Sequence, residues 1–460
     1  MVRLSTSYIN ELVNAVFEGK YWVSVYGAGY VGKALATVFL RAGAKVILVD
    51  INEERLREIK ELKFSKCTEE EIKTALSNAL RSGRIKLMRD GIEASRLSKV
   101  KLVTVPVLYD RVRNVVNYDP LVSACEDIAR GLKEGDLIVI ESSVPPGTTE
   151  EVVKPLIESV SGLRAEEDFL LAYSPERIYV GRAVKDIEVR YPKVVSGVGP
   201  LSLEAVTKLY SRVAKAGVIR ASSTKVAEFS KLAEGAYRDV NIALANQLAL
   251  LAMRLGIDYY EVVRIANTKP YSHLHLPGPG VGGYCVPIYP RFLMIKAEEL
   301  GIDLPLLNTS RLVNELMPYK VFSLIKEVIK LSRPNLSDVK VVVLGAAFRG
   351  EIDDTRLSPT HDLLAIMKSE GFKYVVVHDP YVRNDVLIKE LGYLLTNDLS
   401  EALKDAELVI VMTRHKVYEG LRTSTIKRLC GKSNVVVIDA VAILNHDSEV
   451  RYIALGKPTQ

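Results

Sequence analysis

The amino-acid sequence predicts a protein of the α/β class, with two doubly wound parallel-sheet domains joined by a long central helix and a helical middle domain. Short β-rich runs alternate with helical patterns in the first third of the chain, and the same alternation returns in the last third. A long proline-free helical pattern lies between them. A chain of 460 residues is long enough for about three domains. We predict these domains at residues 1–205, 206–325 and 326–460.

The first domain begins with the pattern of a dinucleotide-binding unit. A β-rich run ends at Tyr26, the stretch GAGYVG (27–32) and a helical pattern follow, and a second strand at 45–49 leads to Asp50. In such a Rossmann-like unit the glycines serve the tight turn, the approach of the pyrophosphate and the packing of the helix. Asp50 lies 18 residues after Gly32, a spacing that suits a ribose hydroxyl and favours NAD over NADP. The alternative is a flavodoxin-like turn without cofactor. The predicted NAD-binding residues here are Gly27, Gly29, Tyr30, Val31, Gly32 and Asp50.

Two later strands of this domain end in polar residues. The strand 136–140 leads into ESSVPPGTT (141–149), and the strand 169–173 leads into Ser-Pro-Glu176-Arg177. The carboxyl ends of strands in an open α/β sheet face the ligand crevice. Ser143 can therefore contact the nicotinamide or the substrate, although the segment can also be only a helix cap. Glu176 can be an acid/base group, or with Arg177 a surface ion pair.

The middle of the chain predicts one long helix. Residues 224–255 contain no proline, and apolar residues recur every three or four positions, which is typical of a single apolar helix face. A helix of this length spans about 45 Å and suits a connector or a subunit interface. Lys231, Glu234, Arg238 and Asn241 step along it at similar intervals, either as a solvated face or facing a pocket.

A loop rich in glycine and proline, PGPGVGGYCVP (277–287), surrounds Cys285. Glycine lets backbone N–H groups approach a ligand, and proline stiffens the loop. Such amides can hold an anion or a developing oxyanion beside the sulfur, so the pattern favours a nucleophilic thiol. The alternative is a tight turn around a buried cysteine.

The last third predicts a second parallel sheet, with strands at 338–344, 374–378, 408–412 and 434–438. Glu351, Asp353 and Asp354 lie close together, as in a metal site. Arg349 and Arg356 can pair with them, however, so no metal is predicted.

Composition excludes several classes of function. Apolar residues make up 48% and charged residues 26%, as in ordinary globular proteins, and the net charge of +6 is spread along the chain. The four cysteines form no CxxC pair, which fits a reducing compartment. No stretch of 18 apolar residues exists. We therefore predict a cytoplasmic protein that binds neither nucleic acid nor membrane.

Ordered motifs along nearly the whole chain resemble the UDP-glucose / UDP-N-acetylmannosamine dehydrogenase family. The resemblance implies two Rossmann-like domains joined by a long dimer-forming helix, and hence a homodimer or higher homo-oligomer. It also implies oxidation of the C6 hydroxyl of a UDP-sugar to a carboxylate with two NAD⁺. PGPGVGG resembles the branch that acts on UDP-N-acetylhexosamines. The matching motifs are GAGYVG (27–32), ESSVPPGTT (141–149), YSPER (173–177), EFSKLAEGAYRDVNIALAN (228–246), PGPGVGGYCVP (277–287), AAFRGEIDDTRLSP (346–359) and HDPY (378–381).

The resemblance implies roles for matching residues. Cys285 would capture the C6 aldehyde as a thiohemiacetal and then carry the thioester. Lys231 would stabilise oxyanions at C6, and Glu176 would assist proton transfer and thioester hydrolysis. Further cofactor contacts are implied for Arg55, Ser143 and Arg356, and substrate contacts for Arg177, Arg238, Asn241, Gly278, Gly280, Gly282 and Arg349.

The chain also departs from the family pattern. Gly235 stands four residues after the lysine, where the family normally has asparagine, and Tyr289 stands four residues after the cysteine, where it has aspartate. Val107, Leu108 and Tyr271 replace a threonine, a proline and an arginine. These departures leave two alternatives: a catalytically weakened homologue with a regulatory or structural role, and an enzyme that stops at the aldehyde.

Overall fold

The computed structural model describes residues 3–329, 336–447 and 450–458. The chain divides into two compact units. The first unit comprises Met1–Glu234 and Arg291–Ile302, and the second comprises Gly235–Pro290 and Asp303–Gln460.

Within the described residues, the helices are α1 (Thr6–Phe17), α2 (Tyr30–Arg41), α3 (Glu53–Lys60), α4 (Glu70–Arg81), α5 (Gly91–Leu97), α6 (Asp119–Gly131), α7 (Lys154–Ser161), α8 (Ala183–Lys185), α9 (Pro200–Ser211), α10 (Thr224–Leu255), α11 (Tyr259–Ala266), α12 (Tyr289–Glu299), α13 (Pro305–Glu315), α14 (Met317–Ile329), α15 (Pro359–Ser369), α16 (Val386–Glu390), α17 (Leu399–Leu403) and α18 (Thr423–Cys430). The strands are β1 (Trp22–Tyr26), β2 (Lys45–Val49), β3 (Ile85–Met88), β4 (Ser98–Val103), β5 (Leu108–Asp110), β6 (Val115–Asn117), β7 (Leu137–Ile140), β8 (Leu170–Tyr173), β9 (Lys193–Gly197), β10 (Val218–Arg220), β11 (Lys340–Leu344), β12 (Tyr374–His378), β13 (Leu394–Thr396), β14 (Leu408–Val411), β15 (Val436–Asp439) and β16 (Arg451–Ala454).

The first unit is built on a sheet of eight described strands, ordered β10-β9-β8-β7-β4-β1-β2-β3. The strands from β8 to β3 pair in parallel, in the order of a doubly wound dinucleotide-binding sheet. Strand β9 reverses direction and pairs antiparallel with β8. This reversal brings the first residue of β9 to the edge where β7 and β8 end.

Both faces of this sheet are covered. Along β2, Val46 and Leu48 join one buried cluster with residues of α1, α2 and α9, while Ile47 and Val49 join another with residues of α5, α6 and α7. Side chains of a strand point to alternate faces, so a strand buried on both sides reads as an unbroken apolar run. This is why the short runs of the sequence became central strands.

The second unit contains a sheet of six described strands, ordered β13-β12-β11-β14-β15-β16, all of them parallel. It has the same doubly wound order as the core of the first sheet. The predicted α/β class with two Rossmann-like parallel sheets is confirmed.

In both sheets, a glycine with a positive φ follows the central strand, β1 or β11, and packs against a threonine. Gly27 after β1 has a φ of +105°, and Gly345 after β11 has a φ of +106°. A Cβ atom on Gly27 would lie 2.8 Å from Oγ1 of Thr104, and one on Gly345 would lie 2.3 Å from Cβ of Thr413. Each threonine follows the neighbouring strand, β4 or β14. The second unit therefore repeats the first at the level of single residues.

Helix α10 has the bounds that the sequence predicts, but only some of its predicted apolar positions are buried. Leu232 and Ala243 are buried, whereas Phe229, Leu244 and Leu251 are exposed. The predicted apolar positions are thus divided between the core and the surface, and the buried side of the helix also carries the polar residues Glu228, Asp239 and Asn246.

The segment between β4 and α6 contains the antiparallel hairpin β5–β6. No helix within the described ranges has the length and apolar character that a membrane span requires.

Candidate active site

Three glycines shape the turn between β1 and α2. Gly27 adopts a φ of +105°, which L-residues rarely reach. A Cβ atom on Gly32 would lie 1.8 Å from the carbonyl oxygen of Gly27, so only glycine lets the helix approach the turn. A Cβ atom on Gly29 would meet none of the described atoms within 4 Å. The space at the start of the helix is therefore open, as a pyrophosphate requires.

Asp50 follows β2 and is buried beside this turn. Its two carboxylate oxygens accept the N–H groups of Ala28 and Asn52, each at 2.8 Å, and Arg55 Nη1 lies 3.5 Å from Oδ2. A carboxylate has about four acceptor positions, so positions remain for a ribose hydroxyl. The open glycine turn and this fixed carboxylate fit NAD, which when bound would accept a hydride.

Tyr30 and Val31 open α2. The Tyr30 hydroxyl hydrogen-bonds to Glu69 and accepts the N–H of Gly181. Glu69 also accepts the N–H of Ala183 at 2.7 Å, and Val31 packs on the core. Tyr30 thus ties the start of α2 to the segment that precedes α8, and its contact with the cofactor stays a prediction.

The segment 141–149 is a turn that leads into a wide helical turn, Thr149–Val153. It is held by α10, because Glu228 accepts the N–H groups of Gly147 at 2.6 Å and Thr149 at 2.9 Å. Burial raises the pKa of Glu228 above its ordinary value. Ser143 lies half-buried within the turn, and its role at the nicotinamide stays a prediction.

Glu176 follows β8 and is buried, so it does not belong to a surface ion pair. It bonds to the Nζ atom of Lys193 at the start of β9, and the same Nζ lies 2.7 Å from Oε2 of Glu141 at the end of β7. The hydroxyl of Tyr210 on α9 donates to the other oxygen of Glu141. Two carboxylates, one ammonium and one phenol therefore form a single buried cluster.

The remaining predicted residues of this region lie along α10 or contact it. Arg177 Nη1 is 3.1 Å from Oε1 of Glu234, and Lys231 is half-buried; all three belong to the first unit. Arg238 and Asn241 are half-buried and belong to the second unit. The Asn241 amide donates to a backbone carbonyl one turn earlier on the helix.

The loop 277–287 presents its thiol. The structure describes all four cysteines, and Cys285 alone is exposed. A Cβ atom on Gly282 would lie 2.5 Å from Cβ of Phe348, and Gly283 has a φ of +83°. The loop therefore packs on the segment 348–357 so closely that glycine is required. The alternative of a turn around a buried cysteine is wrong.

Two amides of this loop are used inside the chain. The N–H of Gly278 donates to Oδ1 of Asn246 at 2.9 Å, and that of Gly283 donates to the carbonyl oxygen of Arg356 at 2.9 Å. The Asn246 amide donates in turn to Asn314 at 3.0 Å. These two N–H groups fix the loop, and substrate contacts stay predictions for Gly278, Gly280 and Gly282.

Arg356 lies close to the thiol loop. Its Nε and Nη2 atoms are 2.8 and 2.5 Å from the carboxylate of Asp354, and its guanidinium lies 4.7 Å from the ring centroid of Tyr284. Burial opposes the charge, but Asp354 raises the pKa of Arg356. The predicted pairing is confirmed for Arg356 with Asp354, and Arg349 lies half-buried on the same segment. In the described part of the chain, no group of three or more His, Cys, Asp or Glu is placed to hold a metal.

The two departures from the family pattern that flank Lys231 and Cys285 contact each other. A Cβ atom on Gly235 would lie 2.4 Å from Cδ2 and 3.0 Å from Cβ of Tyr289. Tyr289 is buried, and its N–H donates to the carbonyl oxygen of Cys285 at 3.0 Å. The tyrosine therefore occupies space that any side chain at position 235 would need.

The models for the NAD binding, central and UDP binding domains of the UDP-glucose/GDP-mannose dehydrogenase family match residues 21–214, 225–316 and 342–446. The chain is 34% identical over 427 residues to a UDP-N-acetyl-D-mannosamine dehydrogenase from Methanocaldococcus jannaschii, covering 92% of this chain and 93% of that one. It is 33% identical to a UDP-N-acetyl-D-glucosamine 6-dehydrogenase from Pseudomonas aeruginosa, covering 92% and 97%.

A solved structure of a UDP-D-ManNAc dehydrogenase from Pyrococcus horikoshii superposes with a TM-score of 0.86, at 30% identity, over 95% of this chain and 100% of that one. The fold and the dinucleotide turn define an NAD-dependent oxidoreductase. The chain belongs to the UDP-glucose/GDP-mannose dehydrogenase family, as its ordered motifs predict.

Several residues with clear structural roles were not predicted from the sequence. Glu141 had a signal, because it is a carboxylate at the end of a buried strand. Glu228, Asn246 and Tyr210 lie within helical patterns that do not distinguish them from their neighbours. Lys193 had no local signal, since its position depends on the antiparallel pairing of β9 with a strand 20 residues earlier.

Proposed function

We propose that the protein is an NAD-dependent 6-dehydrogenase that oxidises the C6 hydroxyl of a UDP-N-acetylhexosamine, such as UDP-N-acetylmannosamine, to the uronate. The observation that carries the proposal is the thiol of Cys285, exposed on a glycine-shaped loop in a chain whose relatives bear such names. The UDP binding domain model supports a UDP-sugar as substrate.

In the proposed chemistry NAD accepts a hydride in each of two oxidations. The sulfur of Cys285 adds to the carbonyl carbon of the C6 aldehyde and forms a thiohemiacetal, whose oxidation leaves a thioester. The Lys231 ammonium stabilises the negative charge that develops on the C6 oxygen. Glu176 takes a proton from the water that cleaves the thioester and regenerates the thiol. Overall, one alcohol, one water and two NAD⁺ give one carboxylate, two NADH and three protons.

The tyrosine at position 289 is relevant to the two alternatives, a catalytically weakened homologue and an enzyme that stops at the aldehyde. The family aspartate is absent at position 289, and a tyrosine with an ordinary pKa of about 10 is a poor base near neutral pH. Glu176 alone must therefore take the proton from the water that hydrolyses the thioester. A slow thioester hydrolysis would make the chain a weakened homologue, and loss of the second oxidation would leave an aldehyde.

The test is the amount of NADH formed per sugar, with UDP-N-acetylmannosamine, UDP-N-acetylglucosamine and UDP-glucose as substrates. We expect two NADH per UDP-N-acetylhexosamine and a covalent sugar adduct on Cys285 in a rapid quench. One NADH per sugar indicates an enzyme that stops at the aldehyde. No NADH from any sugar contradicts the proposal and favours a binding role.

Two serine variants provide the matched pair. Cys285→Ser should abolish the second oxidation and the adduct, because a hydroxyl is a far weaker nucleophile than a thiolate. Cys125→Ser changes a buried cysteine in the core of the first unit, and should lower stability without changing the stoichiometry.

We also propose that the protein forms a homodimer through α10. Tyr237, Leu244 and Leu251 are spaced seven residues apart on this helix and are 54%, 43% and 56% exposed. Such a stripe of large apolar side chains is the face that a helix presents to a second helix. A second copy of the chain carries the same stripe, so a two-fold axis would pair the two faces.

A further inference from the structure

The buried cluster around Glu176 contains more charge than folding needs. Glu141 and Lys193 have side chains that are 0% and 4% exposed, and Glu176 keeps 7%. Replacing a buried ion pair with apolar residues of similar size is often neutral or even stabilising. The stability of the first unit therefore does not by itself explain a lysine between two carboxylates.

The topology places this cluster at the edge of the sheet used by ligands. Ile140 and Tyr173 pair at the ends of the parallel strands β7 and β8, so Glu141 and Glu176 emerge on the same side. Strand β9 runs in the opposite direction, and its first residue, Lys193, returns to that edge. Of the three charged side chains, Glu176 has the largest exposed fraction. It is therefore the outermost member of the cluster, and Lys193 and Glu141 lie behind it.

We propose that Lys193, Glu141 and Tyr210 are positioning residues that fix the Glu176 carboxylate, and that the charge shared within this cluster sets the pH dependence of the reaction. Lys193 divides its positive charge between two carboxylates, and Tyr210 holds Glu141 by a hydrogen bond to the oxygen that Lys193 does not contact. The proposal rests on the proposed function, since it assigns Glu176 as the group that moves protons.

Electrostatics support the coupling. Burial raises the pKa of Glu141, and the nearby Glu176 charge adds to this effect while Lys193 opposes it. Burial lowers the proton affinity of Lys193, but the two carboxylates outweigh burial and raise its pKa. Lys193 therefore stays charged, and Glu141 is the carboxyl of the cluster that binds a proton more readily than an ordinary glutamate.

Other charged or titratable groups surround the cluster. The ring of Tyr210 lies 4.8 Å from Nζ of Lys193. Tyr173 on β8 is buried near both Glu141 and Glu228, which belongs to α10. Arg177 next to Glu176 is paired with Glu234. The carboxylates of Glu228 and Glu234 hold backbone N–H groups or Arg177, whereas those of Glu141 and Glu176 share Lys193.

Kinetics across pH distinguish positioning from a purely structural role. Lys193→Met leaves two carboxylates without their cation, so the acidic limb of the kcat/KM profile should move to higher pH by about one unit or more. Glu141→Gln is nearly isosteric and leaves Lys193 to Glu176 alone, so the limb should move to lower pH. Lys193→Arg keeps the charge and should restore a profile close to that of the wild type.

The matched control is Lys101→Met. Lys101 is also fully buried in the first sheet and bonds to Asp136, a carboxylate outside the cluster. This variant should lower Tm without moving the pH profile. Equal profiles for the Lys193→Met, Glu141→Gln and Lys101→Met variants would overturn the proposal.

An infrared titration of the purified chain provides a readout that needs no substrate. We expect a band from a protonated buried carboxyl that persists above the pH at which ordinary glutamates ionise, and that disappears in Glu141→Gln. A band unchanged in that variant would overturn the coupling. If the wild type forms no NADH with any UDP-sugar, the proposed function fails, while the infrared titration still decides whether the cluster shares a proton.

Discussion

At the scale of single residues, Gly235 and Tyr289 form a pair in which each residue explains the other. Alanine in place of a helical glycine ordinarily stabilises by about 1 kcal/mol. Here the added Cβ would lie 2.4 Å from the tyrosine ring. Overpacking of this kind costs about 1–3 kcal/mol. We therefore expect Gly235→Ala to lower the stability of the second unit.

The sign of this effect should reverse in a second background. In Tyr289→Ala the ring is absent, so Gly235→Ala should raise Tm rather than lower it. A double-mutant cycle by thermal unfolding measures both values and their coupling. The same sign in both backgrounds would show that the tyrosine does not restrict position 235.

The buried carboxyl of Asp379 should make the stability of the protein depend on pH. Asp379 is buried, which alone would raise its pKa, but the hydrogen bond from His415 and two backbone N–H groups hold the pKa below its ordinary value of 3.8. A carboxyl with a lowered pKa in the folded state stabilises the protein above its unfolded pKa, and this stabilisation is lost as pH falls through the folded value. The wild type should therefore lose this contribution below about pH 4.

The check is the difference in Tm between the wild type and Asp379→Asn. It should be large near neutral pH and shrink as pH falls below about 4, because both chains then carry an uncharged side chain. The exposed Asp303→Asn variant is the control and should show little difference at any pH. A Tm difference between the wild type and Asp379→Asn that stays constant with pH would contradict a lowered pKa of Asp379.

At the scale of elements, the sequence predicted what depends on local pattern. The strands Lys45–Val49 and Tyr374–His378 and the helix Thr224–Leu255 have the predicted bounds. Buried parallel strands are short continuous apolar runs, and a long helix repeats apolar residues every three or four positions. The hairpin β5–β6 and the short strand β9 were not predicted. The two strands of the hairpin are only three residues long and lie in a largely polar stretch, and the pairing of β9 with β8 joins residues distant in sequence.

The same distinction applies to the candidate site. The glycine turn with Asp50 and the loop with Cys285 could be found, because backbone geometry forces glycine at fixed spacings. The partner of Glu176 could not be found, because Lys193 reaches it only through the reversed direction of β9. The division of α10 into a buried side and an exposed apolar stripe also depends on which elements pack against it.

The exposed stripe of Tyr237, Leu244 and Leu251 on α10 predicts how the dimer can be disrupted. Leu244→Lys combined with Leu251→Lys places two charges on the proposed contact face, so the protein should shift from dimer to monomer in light scattering after gel filtration. Lysine at Leu300 and Leu306, which are 67% and 65% exposed and lie outside α10, provides the control and should leave the dimer intact. A wild type that is monomeric at all concentrations would contradict the proposal.

At the scale of the whole molecule, two sheets of the same order lead to different binding sites. In the first unit Gly29 faces open space, and Asp50 accepts one N–H group of the glycine turn, that of Ala28. In the second unit alanines follow Gly345, and Asp379 is 0% exposed. One oxygen of Asp379 accepts the N–H groups of Ala346 and Ala347, at 2.9 and 3.0 Å. The acid that would hold a ribose in that sheet is enclosed by its own turn.

We therefore expect one NAD per chain, although the fold contains two Rossmann-like sheets. Isothermal titration calorimetry should give a stoichiometry of one. Gly29→Val should abolish binding, because the side chain would fill the open space above the start of α2. Ala346→Val at the corresponding turn of the second unit is the matched change and should leave the NAD affinity unaltered. Two NAD per chain, or loss of binding in Ala346→Val, would show that the second sheet also binds the dinucleotide.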